Sequence, residues 1–294
     1  MKEKYIKSPL NYVGGKYKLL KEILPLFPND IDVFVDLFGG GFNVGINTTA
    51  NKIIYNDINY YVYDLLKHLN DNSFEYIDSE IRRIIYEYNL SDSDKNGYEF
   101  YNCNSSDGLS KYNKNNYTRL RNEYNEDKNW KLFYLLVIYS FSNQIRFNSN
   151  GHFNMPCGKR DYNKSLQTKL KEFVEELHKK DCMFFNVPFD KFRFDELDKN
   201  DFVYCDPPYF NSVAAYNEQG GWTEEHERAL LANLDELNQR GIRFALSNNL
   251  KYDNPLLDEW KNKYNVHYLN GDYSNCNYHK IDRSKDVEVL ITNY

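Results

Sequence analysis

Cysteine is scarce and shows no pairing pattern: the five residues, at 103, 157, 182, 205 and 276, form no CxxC pair and are odd in number. That excludes a disulfide framework and a zinc ribbon, and the thiols read as the reduced cysteines of a cytoplasmic protein. Histidine is almost as rare, six residues with no HExxH, so no metal is expected. No stretch approaches the run of about 18 apolar residues that a membrane-spanning helix needs. The segment Met1-Lys2-Glu3-Lys4-Tyr5 leads into no apolar run or small-residue cleavage site, and no signal peptide is read there. A Walker A loop is missing, which disfavours ATP hydrolysis, and so is GxGxxG. Positive charge is also short. With 37 Lys and Arg against 43 Asp and Glu the net charge is -6, at face value an argument against a partner as negative as DNA.

What is present suffices for a core. Hydrophobic residues make up 41% of the 294, which excludes global disorder and suggests one large domain, or one with an insert. The 27 Tyr and 19 Phe suit ring stacking on a ligand and a thick core equally well. A helix is expected over 16–27, stopped by Pro25 and Pro28, with further helices at about 60–70, 73–89, 130–138, 165–179 and 224–239. Strands are expected at 33–38, 52–55, 182–185, 202–205, 242–246, 266–268 and 287–291, about seven in all. Strands alternating with helices predict an α/β fold with a parallel sheet. Residues 91–164 break that rhythm. From Lys111 to Lys171 twelve Lys and Arg face only Glu123, Glu126, Asp127 and Asp161, a surplus of eight that leaves -14 for the rest of the chain.

Four segments carry candidate chemistry. Gly39-Gly40-Gly41 follows a strand, where glycines allow a tight turn and close ligand approach, although a structural loop reads the same. Asp57 ends the next strand and can accept from two ribose hydroxyls or cap a helix. Lys16, after Gly14-Gly15, can lie over a carboxylate or phosphate, or simply be a surface lysine. Asp206-Pro207-Pro208-Tyr209 is the sharpest signal, at the C-terminal end of a strand where open α/β sheets bind ligands. A planar amino group is a poor nucleophile because its lone pair is delocalised. Held by the Asp206 carboxylate and the Pro207 carbonyl, it can pyramidalise while Tyr209 stacks on its base. A structural double-proline turn is the bland alternative. Residues 141–156 alternate about Asn150-Gly151 and predict a β-hairpin. Its Asn143, Gln144, Arg146 and Asn148 are of the types that read purine edges, with Lys159, Arg160 and Lys164 alongside for phosphates.

In chain order these segments resemble the D12 class, or Dam-like, DNA adenine-N6 methyltransferases. The resemblance rests on Pro9 through Lys16, Asp36-Leu37-Phe38-Gly39-Gly40-Gly41, Asn56-Asp57-Ile58-Asn59, Arg146 through Gly158, Asp206 through Tyr209, Ser247-Asn248-Asn249, and Arg283 through Asn293. It implies a Rossmann-like S-adenosylmethionine-dependent sheet, with 1–90 and 165–294 as catalytic domain and 91–164 as an inserted helical and β-hairpin recognition domain. It implies cofactor contacts from Tyr12, Gly15, Lys16, Asp36, Phe38, Gly39, Gly40, Asp57, Ile58, Phe189 and Asp206, and catalysis by Asp206, Pro207, Pro208 and Tyr209. Duplex DNA would be contacted by Phe141, Asn143, Gln144, Arg146, Asn148, Asn150, Pro156, Lys159 and Arg160. The target adenine would be flipped out, with the loop from Asn211 to Trp222 closing over it. Where relatives often carry Asp-Phe for the cofactor adenine, this chain has Pro188-Phe189, and the polar contact falls to Asn186 or the following backbone. Arg146 keeps purine reading in place, whereas Ser142-Asn143 after Phe141 differs from GATC-specific relatives. A restriction-modification setting, a cognate endonuclease and a monomer or weak dimer are the expected context. The alternatives are an enzyme acting on RNA or protein glutamine, whose Asn-Pro-Pro-Tyr is absent here, and a DNA-binding protein with a degenerate site.

Overall fold

A computed structural model describes residues 5–211, 221–269 and 287–294. In chain order the elements are α1 (Leu20–Ile23), β1 (Val33–Asp36), β2 (Lys52–Asn56), α2 (Tyr60–Asp71), α3 (Phe74–Glu87), α4 (Ser93–Asn96), α5 (Ser110–Glu126), α6 (Trp130–Tyr139) and α7 (Lys164–Leu177). There follow β3 (Cys182–Phe185), β4 (Phe202–Cys205), α8 (Glu224–Gln239), β5 (Arg243–Asn249), α9 (Pro255–Trp260), β6 (Asn265–Leu269) and β7 (Glu288–Thr292). The chain forms two compact units, one of residues 1–15 and 59–179, the other of 16–58 and 180–294.

The second unit holds the whole sheet, ordered β3-β2-β1-β4-β5-β7-β6. β3 through β5 run parallel, and β7 is antiparallel to both β5 and β6. β1 to β3 build outward on one side and β4 starts on the other side of β1, so a crevice opens between the C-terminal ends of β1 and β4, where such sheets take ligands. All seven expected strands form, because each is a short apolar run between turn residues. On one face Val35, Val203, Phe244, Leu246, Val289 and Ile291 pack against Leu230, Leu231, Leu234 and Leu237 of α8. That helix begins with a capping box between Thr223 and His226, and Glu224, Glu225 and Glu227 favour its positive end.

The expected helix over 16–27 is shorter and broken. α1 is a single α-turn between 3-10 turns at Lys16–Leu19 and Leu24–Leu26, because Pro25 supplies no backbone donor.

The first unit is helical and centred on α6, nine of whose ten residues are buried. α3 presents Ile77, Ile81, Ile84 and Ile85 to its core, and α7 presents Leu170, Phe173, Val174 and Leu177. The predicted hairpin is reduced to two isolated antiparallel bridges, Ser140 with Cys157 at its base and Phe147 with Phe153 near its tip, the latter flanked by Asn148 N–H to His152 C=O and Asn154 N–H to Arg146 C=O. The two bridges do not join into a ladder, since Ser142 and Asn143 between them take left-handed backbone and fold the incoming chain into a 3-10 turn. Its inner side is apolar: Phe147 stacks on Tyr61 with centroids 4.3 Å apart, and Phe153 and Met155 are buried. The outgoing chain passes so close to α6 that the Gly158 N–H reaches the Tyr139 carbonyl at 2.7 Å. A Cβ on Gly158 would overlap the Ser140 carbonyl. Gly158→Ala is therefore expected to destabilise the protein by about 1–3 kcal/mol, read as a lower urea midpoint with an unchanged slope.

Candidate active site

The C-terminal ends of β1, β2 and β4 deliver Asp36, Asp57 and Asp206. Backbone bonds set the loops around them. The Leu37 N–H donates to Tyr204 C=O at 3.0 Å and the Gly39 N–H to Asn56 C=O at 2.8 Å. Gly39 lies against the Tyr55 ring where a Cβ would overlap it, and Gly40 takes a φ of 46°. The buried Asn56 side chain ties three strand ends together: its amide donates to the carbonyls of Leu37 and Val187 at 3.0 Å, and its oxygen accepts the Val187 N–H at 3.1 Å.

Each carboxylate has its own compensation. Asp57 accepts the Gly40 N–H at 2.8 Å. Asp206 accepts from the Lys16 ammonium through both oxygens, at 2.6 and 2.7 Å, and Lys16 itself is 3% exposed. Burial raises the Asp206 pKa, and the Lys16 charge opposes that rise. Among the described residues Asp36 receives only the Gly45 N–H, at 3.0 Å. Burial pushes its pKa up to about 8, and the negative charges of Asp206 and Asp57 add to that. Tyr209 lies under the ammonium, 5.1 Å from ring centroid to nitrogen. Phe38, Phe189 and Trp222 form a ring cluster beside these residues in the core, with centroids 5.2 to 5.6 Å apart. Ile58 is exposed, and the Asn186 amide donates to the Asp57 carbonyl at 2.7 Å.

Tyr12 and Gly15 belong to the first unit, joined by Gly15 N–H to Tyr12 C=O at 3.2 Å. The same unit carries the DNA candidates. Phe141, Arg146, Asn148, Asn150, Pro156, Lys159 and Arg160 are exposed, with Gln144 half-buried. Asn143 has a structural duty, its amide donating to the carbonyls of Val137 and Ile138 at the end of α6. The Asn148 oxygen accepts the N–H groups of Asn150 and His152 and so shapes the turn. Arg146 is steadied by Asn154, side chain to side chain at 2.7 Å. Two of the twelve cations are partly neutralised nearby, Lys131 by Glu80 and Lys171 by Glu175. Most of the loop expected to close over the site, 212–220, and Arg283 lie outside the described residues.

Asn249 and Glu288 lie in two segments that carry the family resemblance, Ser247-Asn248-Asn249 and Arg283 through Asn293, but neither receives a role from sequence alone. Glu288 opens β7, 3% exposed, and accepts from Asn249 at 2.8 Å and from the Tyr209 hydroxyl at 2.9 Å. A lone acid between the apolar residues Val287 and Val289 was the available signal.

Strand order and acids at the ends of adjacent parallel strands define a Rossmann-like methyltransferase fold. The D12 class N6 adenine-specific DNA methyltransferase family matches residues 12–275. The chain is 46% identical over 299 residues to the type II methyltransferase M.FokI of Planomicrobium okeanokoites, covering 99% of this chain and 43% of that protein. It is 38% identical to the modification methylase StsI of Streptococcus sanguinis, over 99% of this chain and 43% of that one. Against the DNA adenine methylase of Escherichia coli (strain K12) it is 26% identical, over 88% of this chain and 86% of that one. The chain thus spans less than half the length of the first two relatives. It belongs to the D12 class N6 adenine-specific DNA methyltransferase family. No helix among the described residues is long and apolar enough to cross a membrane.

The raised Asp36 pKa has a consequence for stability. A carboxyl that binds its proton more tightly folded than unfolded stabilises the fold at low pH, and this is lost as pH rises from about 4 towards 8. Asp36→Asn keeps an acceptor for Gly45 and removes the titration. The variant is expected to match the wild type in melting temperature near pH 4 and to exceed it by roughly 5 °C at pH 8. A difference constant across that range, in thermal melts of the cofactor-free protein, would remove the buried proton from the account.

Proposed function

We propose that the chain is a site-specific DNA adenine-N6 methyltransferase that uses S-adenosylmethionine and acts as the modification part of a restriction-modification system. The observation that carries the reading is Asp206-Pro207-Pro208-Tyr209 at the end of β4, with its carboxylate fixed through both oxygens by a buried lysine beside the sheet's switch point. The donor set suits the cofactor: Asp36, Asp57 and Asp206 complement an ammonium, a sulfonium and a ribose diol. Asp57 would take the ribose, and Phe38 and Phe189 would pack the adenine. When bound, the cofactor supplies an electrophilic methyl group on sulfur.

The protein's part is to make the amino nitrogen reactive. An Asp206 oxygen and the Pro207 carbonyl accept the two N–H bonds of the extrahelical adenine, drawing the nitrogen out of conjugation. The Tyr209 ring stacks on the base, and Asp206, with its raised pKa, accepts the departing proton. Residues 1–90 and 165–294 would carry this chemistry, and 91–164 would read the duplex. Arg146, Gln144 and Asn150 are the candidates for base edges and Lys159 and Arg160 for phosphates, with Asn143 and Asn148 holding the shape of the reading loop. The relatives named as a type II methyltransferase and a modification methylase support the restriction-modification setting, in which a cognate nuclease would act on the same site.

Expression in a methylation-free host followed by genome-wide mapping of N6-methyladenine identifies the site. Transfer of labelled methyl to duplex DNA, to RNA and to glutamine peptides then tests the substrate class. Asp206→Ala is expected to lower transfer to DNA by about a thousandfold while duplex affinity changes by less than about threefold. A folded, cofactor-binding protein that methylates no DNA would overturn the reading.

A further inference from the structure

Glu288 is a buried acid whose two oxygens do different work. Oε1 accepts the Asn249 amide at 2.8 Å, across the antiparallel pair in which Asn249 and Glu288 are register partners. Oε2 accepts the Tyr209 hydroxyl at 2.9 Å. That hydroxyl lies 3.5 Å from Asp206 Oδ1, at the limit of hydrogen bonding, so Glu288 is its better-placed acceptor. Burying a carboxylate is unfavourable unless its oxygens are satisfied. Tyr209 is only half-buried, and water can serve a half-exposed hydroxyl. A fully buried acid is therefore a poor device for stability alone, but an effective one for fixing a ring.

We propose that Glu288, anchored to the sheet by Asn249, is a positioning residue that sets the plane of the Tyr209 ring against which the target adenine stacks. This rests on the adenine-methyltransferase reading above. Misplacing a reacting group by about 1 Å can lower a rate about a hundredfold, so the tether acts on the chemical step. Glu288 touches neither base nor cofactor in this account.

The test is a double-mutant cycle on the full chain, using a duplex that carries the mapped site, with 2-aminopurine replacing the target base in a parallel binding assay. Glu288→Leu and Tyr209→Phe are each expected to slow single-turnover transfer by about 10- to 100-fold, with cofactor and duplex affinities within about threefold. The double variant should be no slower than the slower single one, because both remove the same tether. Glu288→Gln, which keeps an acceptor, should recover about tenfold over Glu288→Leu. 2-Aminopurine emission, quenched by stacking in the wild type, should rise in Glu288→Leu. If Glu288→Leu does not fold, Asn249→Ala takes its place in the cycle. Additive losses, or wild-type rate and quenching in the Leu or Ala variant, would overturn the proposal. Absence of transfer by the wild type would instead overturn the functional reading and this inference with it.

Discussion

The Lys16–Asp206 ion pair is the interaction that makes the rest of the site affordable. An open α/β sheet gathers side chains at the C-terminal ends of its parallel strands, and here those ends supply Asp36, Asp57 and Asp206 with Glu288 close by. Burial disfavours every one of these charges. A lysine held at 2.6 and 2.7 Å supports one of them, and the others are met by different means: a backbone N–H each for Asp57 and Asp36, an amide and a phenol for Glu288. The arrangement sets a buried cation against Asp206, which opposes the rise that burial imposes on its pKa. It also accounts for the broken start of the chain, since Lys16 is buried in the first 3-10 turn and not displayed on a helix surface.

The sheet was legible because each strand is four to seven residues of mostly apolar sequence closed by a turn residue, a local pattern that tertiary packing has no reason to override. Asp206 and Asp57 were legible for the same reason: each lies at a fixed offset from such a strand. Two kinds of feature were not. The region 16–27 has a helical stripe, but Pro25 and the demands on Lys16 outweigh the stripe. Contacts between distant positions leave no local trace, and Glu288 meets Tyr209 across 79 residues of chain. Asn143 shows a third case. As a polar residue in a basic, hairpin-like segment it resembles a base reader, yet its amide closes the carbonyl end of α6.

Part of the aromatic surplus builds the core. Tyr117, Tyr124, Tyr134, Tyr139 and Tyr162 in the first unit are fully buried, and a phenol offers both apolar area and one directed hydrogen bond. Tyr139 donates to the Ser91 carbonyl at 2.6 Å, Tyr162 to Asp78 at 2.9 Å, and Tyr117 to the Met155 carbonyl at 3.0 Å. The last of these holds the outgoing arm of the hairpin, together with Arg121 on the same carbonyl and Asn125 on both backbone groups of Phe153.

A short hairpin with two isolated bridges would be loose by itself, since two-stranded ribbons are marginal in water. Pinned from beneath by phenol, guanidinium and amide, and with Phe147 stacked on Tyr61, it can present side chains without a ladder. Arg146, bonded to Asn154 on the outer side, is therefore already oriented before any duplex arrives, which reduces the entropy lost on binding. The net charge of -6 does not oppose that encounter. Screening confines exposed charges to a range of about 8 Å at physiological salt, so a phosphate would respond to the charges nearest to it and not to the net charge of the chain. The surplus is smaller than the count of eight, because Glu80 and Glu175 answer Lys131 and Lys171, but Lys159 and Arg160 remain exposed beside the hairpin where phosphates would lie. On the proposed reading, local charge would draw the duplex to a surface whose shape is set by packing.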